Sequence, residues 1–314
     1  MEAVKPLPPL LPLIYQYIFI LTIEGITMRK WTPYLLLIPT FIIIVIFIYV
    51  PAEYSIKASM QRILPFGRGT SYIGLTNFLK LFSNADYLYS VRFTILYVTV
   101  TVSIAIILSF LIALLLVKKI PGVKLFRTLI FVPYAISPAI AGALWTFLLN
   151  PIVGHVSYFF QVLFGIQVEW MTSKPYAFYA VVFASVWKTL PFNMIFYIAS
   201  IQDVPEEILE SATIEGANVM NRTWRIIFPM VSPITFYLVI MNIVTMMFSS
   251  FAIIDVMTKG GPGQYTTNMI YRLYLDAFYF QKPGVASAQS VILIAIMIVV
   301  TSIYFKFGER YVHY

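Results

Sequence analysis

Residues 203–217 read Asp203-Val204-Pro205-Glu206-Glu207-Ile208-Leu209-Glu210-Ser211-Ala212-Thr213-Ile214-Glu215-Gly216-Ala217, and 226–229 read Ile226-Ile227-Phe228-Pro229. Asp203 followed three residues later by Glu206 is a capping-box-like start, and Pro205 sits where a first-turn proline is tolerated. Acidic side chains there suit the positive end of a helix dipole. Val204, Ile208, Ser211 and Ala212 fall on one face at helical spacing. The stretch predicts a short helix with a stripe of small and apolar residues, closed by Gly216 as a C-terminal turn. A second helix is expected to begin near Asn218 or Asn221 and to reach Pro229. Two readings stand at this point: a solvated amphipathic loop helix, or a helix shaped for a groove on a partner protein.

The flanks are apolar. A membrane-spanning helix needs about 20 apolar residues to cross about 30 Å of hydrocarbon at about 1.5 Å per residue. Pro175 to Gln202 supplies one before the loop, broken only by Lys188, and Ile226 to Ile254 supplies one after it, with 29 uncharged residues. Outward from these, Trp31 to Ala52, Phe93 to Val117 and Pro283 to Phe305 are also free of charge. Thr128 to Val168 holds 41 residues without Asp, Glu, Lys or Arg, but Asn150-Pro151 and Gly154 interrupt it. It reads as one span to Leu149, then a short interfacial piece near Tyr158 to Phe164. The expectation is an all-α membrane protein with six spans, at about 31–52, 93–117, 128–149, 176–201, 229–254 and 284–305. Continuous rather than alternating apolar runs favour helices over a barrel.

Composition agrees. Only 11% of the 314 residues are charged and 60% are hydrophobic, against about 25% charged in soluble domains. The net charge of +8 forms no basic stripe apart from apolar sequence, so nucleic acid is not an expected partner and membrane lipid is. The first thirty residues stand apart. Leu13 to Ile23 is too short to span and follows Pro6, Pro8, Pro9 and Pro12, so it reads as an interfacial helix, a poor signal-like segment, or an extension before a start at Met28. With Met28 placed inside, cytoplasmic segments carry ten Lys/Arg and external ones nine. The external segments are about twice as long, which favours cytoplasmic N- and C-termini only by density. Lys118, Lys119, Lys124 and Arg127 are the strongest vote, and read as a topology anchor.

Catalytic chemistry finds little support. The chain has no cysteine and only two histidines, His155 and His313, so zinc clusters at ordinary spacing are excluded. No G-x-x-x-x-G-K-[ST] phosphate cradle occurs, and no serine–base pair is marked. The expectation is a non-enzyme. Lys188 is the one charge inside a span, a functional candidate by default, although lysine also snorkels or pairs with carbonyls. Asn193, Asn242, Ser249, Ser250 and Asp255 are candidates for a polar path, and Tyr134, Ser137, Pro138 and Trp145 make the third span bent and aromatic, which suits the wall of such a path; each equally suits packing between spans.

The motif Glu210-Ser211-Ala212, three residues, Gly216, nine residues, Ile226-Ile227-Phe228-Pro229 resembles the signature loop of ABC-importer permease subunits, E-A-A-x-x-x-G followed after nine residues by I-x-L-P. Ser211 stands for alanine and Phe228 for leucine, both conserving size or polarity. Gly74-Leu75-Thr76-Asn77-Phe78, Trp187-Lys188-Thr189-Leu190-Pro191-Phe192 and Thr258-Lys259-Gly260-Gly261-Pro262 are similar to elements of the carbohydrate-uptake branch. Val132-Pro133-Tyr134-Ala135, Phe183 to Lys188 and Ala288-Gln289-Ser290 are most similar to the permeases of sn-glycerol-3-phosphate importers within it. The likeness extends over nearly all of 28–314.

This resemblance implies a type I importer permease fold over 31–314, with 203–228 as a cytoplasmic coupling loop. It implies a bacterial inner-membrane assembly with a second, different permease, two ATP-binding subunits and an external solute-binding protein. ATP and Mg would be bound by the partner ATPases and no cofactor by this chain. Glu210, Ser211, Ala212, Gly216, Ile226 and Pro229 would couple to the ATPase. Gly260, Gly261 and Pro262 would either contact the binding protein or only position the last span. The expected solute is sn-glycerol-3-phosphate or a related carbohydrate, with neutral sugars or oligosaccharides as the alternative. A secondary transporter or channel would need inverted repeats or intramembrane carboxylates, and neither is visible.

Overall fold

The computed structural model describes residues 32–64, 69–118 and 121–311. The segment 1–30 and the basic residue Lys119 lie outside them. The chain divides into two compact units between Tyr54 and Ser55. The first contains most of helix α1 (Tyr34–Ser59), with no part of its most apolar window buried. A stretch that is apolar all round and exposed along its length is built for lipid. It carries a π-turn at Val45–Tyr49, where the Val50 N–H reaches the Val45 carbonyl. Pro51 follows and has no N–H to continue the regular ladder.

In the second unit the end of α1 is followed by a two-stranded antiparallel hairpin, β1 (Gln61–Ile63) and β2 (Thr70–Tyr72), in which Arg62 faces Ser71. The helices α2 (Thr76–Phe82) and α3 (Ala85–Leu116) follow. Next come α4 (Val123–Ala135), α5 (Pro138–Leu148), α6 (His155–Phe164) and α7 (Lys174–Gln202). The acidic loop after α7 forms α8 (Glu206–Ile214) and α9 (Val219–Met230). The chain then runs through α10 (Ser232–Phe248), α11 (Ser250–Met257), α12 (Met269–Tyr274) and α13 (Pro283–Tyr311).

Among the described residues, four helices are long and apolar enough to cross a membrane, or up to six spans if each of two bent pairs counts as one. The bent pairs fall on the spans expected at 128–149, which the sequence already marked as bent, and at 229–254, for which no bend was expected. The first is α4 and α5, bent by 106°. Ile136 and Ser137 are both extended; Ser137 directly precedes Pro138, which drives it out of the helical region, and it then caps α5, its Oγ accepting from Ile140 N–H. The second is α9 and α10, bent by 68° at Val231. Pro233 has no N–H for the Pro229 carbonyl and its ring crowds it. That span also breaks at Ser249, before α11. The expected 93–117 span starts earlier, at Ala85, where the Asn84 side chain accepts from Tyr87 N–H.

α3 and α7 pack along their length. Ala105, Ser109 and Ala113 of α3 and Ala177, Ala184 and Ser185 of α7 are fully buried. Small side chains let two backbones approach closely where lipid gives no hydrophobic drive for helix association. Polar ties cross the same seam. Tyr97 Oη donates to Ser185 Oγ at 2.7 Å, and Ser109 Oγ to the Leu190 carbonyl at 3.1 Å. At its far end α3 presents Phe110, which packs on Tyr197, Trp224 and Phe228.

Candidate functional site: a cavity at Lys188 between two tied loops

A cavity of about 280 Å³ opens where α3, the α4–α5 bend, α7, α10 and α11 meet. Of the residues expected at such a path, Tyr134, Pro138, Lys188, Asn242, Ser249 and Ser250 line it. The bend creates it: a straight third span would not carry Tyr134 and Pro138 to the same wall. Lys188 is half-buried, its Nζ donating to the Tyr134 carbonyl at 3.0 Å and lying 5.2 Å from the Tyr134 ring centre. α4 ends there, so this carbonyl lacks a helical partner and accepts the ammonium. Tyr134 in turn stacks on Phe192, with ring centres 5.8 Å apart.

Asn193 lies just behind the wall, fully buried and paired with Asn242. Trp145 and Asp255 lie outside the cavity. Trp145 stands edge-on to Phe183 and Trp187 in an apolar groove. Asp255 faces Tyr271, and burial together with that carboxylate pushes the Tyr271 phenol up to about 12. Sequence reasoning missed Tyr97, Thr189 and Thr245 in the lining. Thr245 carried a signal, since Asn242, Thr245 and Ser249 repeat at helical spacing inside an apolar run.

On one side of the cavity lies the loop that holds the signature motif. α8 starts with Pro205 as its cap and no side chain caps it, which corrects the expected capping box at Asp203. At its end Gly216 has φ 84°. The Gly216 N–H meets the Thr213 carbonyl and the Ala217 N–H meets the Ala212 carbonyl, a left-handed closure that suits glycine. Asn218 caps α9, accepting from Asn221 N–H at 2.8 Å. Arg222 Nη1 donates to Thr213 Oγ1 at 2.6 Å, tying α9 to α8. Of the predicted stripe, Val204 and Ala212 are buried and Ile208 and Ser211 are exposed. Glu210 and Pro229 are exposed and Ile226 is half-buried. A second π-turn spans Thr223–Ile227, directly before Phe228-Pro229.

On the other side lies the loop 258–268. Gly260 is buried, while Gly261 and Pro262 are half-buried. Thr266 Oγ1 donates to the Gly261 carbonyl and Thr267 Oγ1 to that of Gly260. Asn268 Nδ2 donates to Ser250 Oγ at 2.8 Å, and Thr94 Oγ1 accepts from Met269 N–H. These bonds tie the loop to α3 and to the cavity-lining Ser250, leaving Lys259, Gly263 and Gln264 as its exposed tip.

Residues 94–313 match the protein family described as binding-protein-dependent transport system inner membrane component. The chain is 38% identical over 285 residues to the sn-glycerol-3-phosphate transport system permease protein UgpA of Pectobacterium atrosepticum, covering 91% of this chain and 96% of that protein. To the permease protein of the same description from Agrobacterium fabrum it is 37% identical, covering 91% and 97%. Among solved structures, a bacterial alginate ABC transporter in complex with an alginate pentasaccharide-bound periplasmic protein superposes with TM-score 0.79 at 22% identity, covering 90% of this chain and 95% of that one. A second structure of an alginate-importing transporter gives 0.79 at 21% identity, covering 95% and 100%.

Proposed function

We propose a function from one premise: the chain belongs to the family of binding-protein-dependent transport system inner membrane components. It is a non-catalytic permease subunit of an ABC importer with the type I fold. Our reading is that it forms half of the translocation path for sn-glycerol-3-phosphate or a related carbohydrate solute. The observation that carries it is the cavity at Lys188, a cation held among Tyr134, Asn242 and Ser250. A phosphate monoester needs a counter-charge and hydroxyl or amide partners, and this lining offers both.

In this reading the chain crosses the inner membrane six times, each bent pair being one span, with both termini cytoplasmic. It pairs with a second permease, two ATP-binding subunits and a solute-binding protein. The ATPases hold ATP and Mg. α8 docks in an ATPase groove through Glu210, Ser211 and Ala212, and Gly216 sets the angle to α9. Movement of the ATPases is transmitted through Ile226 and Pro229 into α10, which carries Asn242 at the cavity wall. Rigidity supports this role: Arg222–Thr213 and the Phe110–Trp224–Phe228 cluster fix the loop to the bundle. A lever must hold shape to shift a two-state equilibrium. The tip of 258–268, beside Gly260, Gly261 and Pro262, faces the binding protein.

A neutral sugar is the second reading, favoured by Lys188 being engaged by the Tyr134 carbonyl and ring. Reconstitution with the partner subunits in proteoliposomes decides. Vanadate-sensitive uptake of labelled sn-glycerol-3-phosphate is expected; uptake of a neutral disaccharide alone supports the second reading. Uptake by this chain without ATPases, driven by an ion gradient, would sink both.

A further inference from the structure

The second unit holds a larger cavity, of about 700 Å³, beside the Ala85 end of α3. Tyr87 there and Phe110 at the coupling loop are separated by ~35 Å along the helix axis, so the two sites occupy opposite ends of the bundle. Four cations line the cavity: Arg62 of β1, Lys80 of α2, Arg272 of α12 and Lys282 before α13. Asp276 is the one carboxylate in the lining among the described residues. Its Oδ2 is already occupied, accepting from Arg272 Nε at 3.0 Å and from Gln289 Nε2 at 2.6 Å. Asp86, outside the lining and half-exposed, takes Arg272 Nη1 at 3.5 Å. Lys282 lies over the Phe280 ring. Arg62 and Lys80 have no ion-pair partner among the described residues. The lining thus keeps a net positive charge.

A second observation is independent of charge. Tyr87 lines the same cavity at 1% exposure, and its Oη is buried without a hydrogen-bond partner. A buried hydroxyl left unpaired is unfavourable and calls for an acceptor. The walls are braced. Asn77 Nδ2 donates to the Ser59 and Gln61 carbonyls, and Gly284 approaches Gln61 so closely that a Cβ would collide with its carbonyl.

These cations also account for an anomaly in the sequence. Nine Lys/Arg fall in segments read as external, against the usual cytoplasmic bias. Four of the nine line this one cavity. Cations gathered in a low-dielectric concavity concentrate anions at its mouth.

We propose that this cavity is an anion site that receives a phosphate-bearing ligand at the external face, as a station for the solute before the Lys188 cavity. The external placement and the identity of the solute rest on the function proposed above. Arg62 and Lys80 attract the phosphate, Tyr87 Oη donates to one of its oxygens, and the Arg272–Asp276 pair fixes the floor.

The test uses the complete transporter in phosphatidylcholine nanodiscs without binding protein, with inorganic phosphate as probe. R62A/K80A removes two exposed side chains, and Y87F removes only a hydroxyl. Phosphate affinity is expected to fall at least tenfold in the first and about threefold in the second. With binding protein added, KM for sn-glycerol-3-phosphate is expected to rise about tenfold in R62A/K80A, with kcat within twofold of wild type. Phosphate binding that is absent in wild type, or unchanged in R62A/K80A, overturns the site. Loss of binding-protein affinity with no change in phosphate binding assigns the cations to carboxylates of that protein and equally overturns it. Phosphatidylglycerol in the disc should leave phosphate affinity unchanged; competition by it assigns the site to lipid headgroups and removes the solute role. If only neutral sugars are carried while phosphate still binds and R62A/K80A abolishes that binding, the solute reading fails and the anion site stands.

Discussion

Asn193 of α7 and Asn242 of α10 exchange hydrogen bonds across a buried crossing, at 2.7 Å in one direction and 3.3 Å in the other. Asn242 Nδ2 also donates to the Leu238 carbonyl at 2.7 Å. Both residues are almost wholly buried, and Asn242 lines the Lys188 cavity while Asn193 does not. The pair therefore sets the position of a cavity-wall side chain from outside the cavity. Because α10 is the helix that follows the coupling loop, any displacement of α10 against α7 must stretch or break this pair.

Asn193→Leu should destabilise the folded protein by ~1–2 kcal/mol, since it leaves the Asn242 amide with one partner instead of two in an apolar surround. N193L/N242L should recover part of that loss because no polar group is then left unmatched. Thermal unfolding of all three variants in detergent measures the coupling. Additive losses in the double variant would show that the two amides do not act as a pair.

Lys188→Met should leave membrane insertion and the basal ATPase rate of the assembled transporter unchanged. If the ammonium meets a phosphate, the variant raises KM for sn-glycerol-3-phosphate tenfold or more, about 1.4 kcal/mol per factor of ten. If Lys188 only staples α7 to the Tyr134 carbonyl, the variant lowers stability and leaves KM alone. Uptake kinetics beside a melting curve separate these outcomes.

Gly216→Pro should abolish uptake while the chain still inserts. Gly216 has φ 84°, which proline, fixed near −65°, cannot adopt, so the angle between α8 and α9 is lost. Trp224→Ala is the milder companion. It removes a ring 6.0 Å from Phe110 and 5.4 Å from Phe228, and should lower transport per ATP hydrolysed more than it lowers hydrolysis. Full uptake by the proline variant would refute the lever.

Gly260→Ala and Gly263→Ala separate crowding from backbone strain. Both glycines have positive φ, 76° and 66°. At Gly260 a Cβ would stand 2.5 Å from Thr267 Oγ1 and 2.7 Å from Tyr271 Cε1, while at Gly263 it meets open space. Gly263→Ala should cost about 1–2 kcal/mol from left-handed strain alone. Gly260→Ala should cost at least ~1 kcal/mol more and release the 258–268 loop. Detergent melting temperatures give the comparison, and equal losses would show that crowding has no part.

The apolar runs, their lengths and the loop between two of them were readable from residue order. Each of these properties is local: hydrocarbon thickness fixes how many apolar residues a span needs, and the amide ladder leaves helices as the solution. The turn at Gly216 and the start at Asn218 were legible for the same reason, as glycine and asparagine act through their own backbone geometry. Prolines were legible unevenly. Pro138 marked the third span as bent, though not by how much, whereas Pro233 stood inside a run whose apolar character never lapsed, so the 68° bend left no trace in hydropathy.

By itself, then, the sequence determined that this chain lives in lipid, where its helices run and which loop bears the importer signature, because one-dimensional patterns encode solvent preference and local turns. Only the tertiary structure decided which polar residues meet. It put Lys188 against Tyr134 and Asn193 against Asn242, left Trp145 and Asp255 outside the cavity, and gathered Arg62, Lys80, Arg272 and Lys282 around a second one. Those meetings depend on helix rotation and on two bends, set by small-residue packing between α3 and α7 and by missing amide protons at proline, and no property of a single segment fixes them.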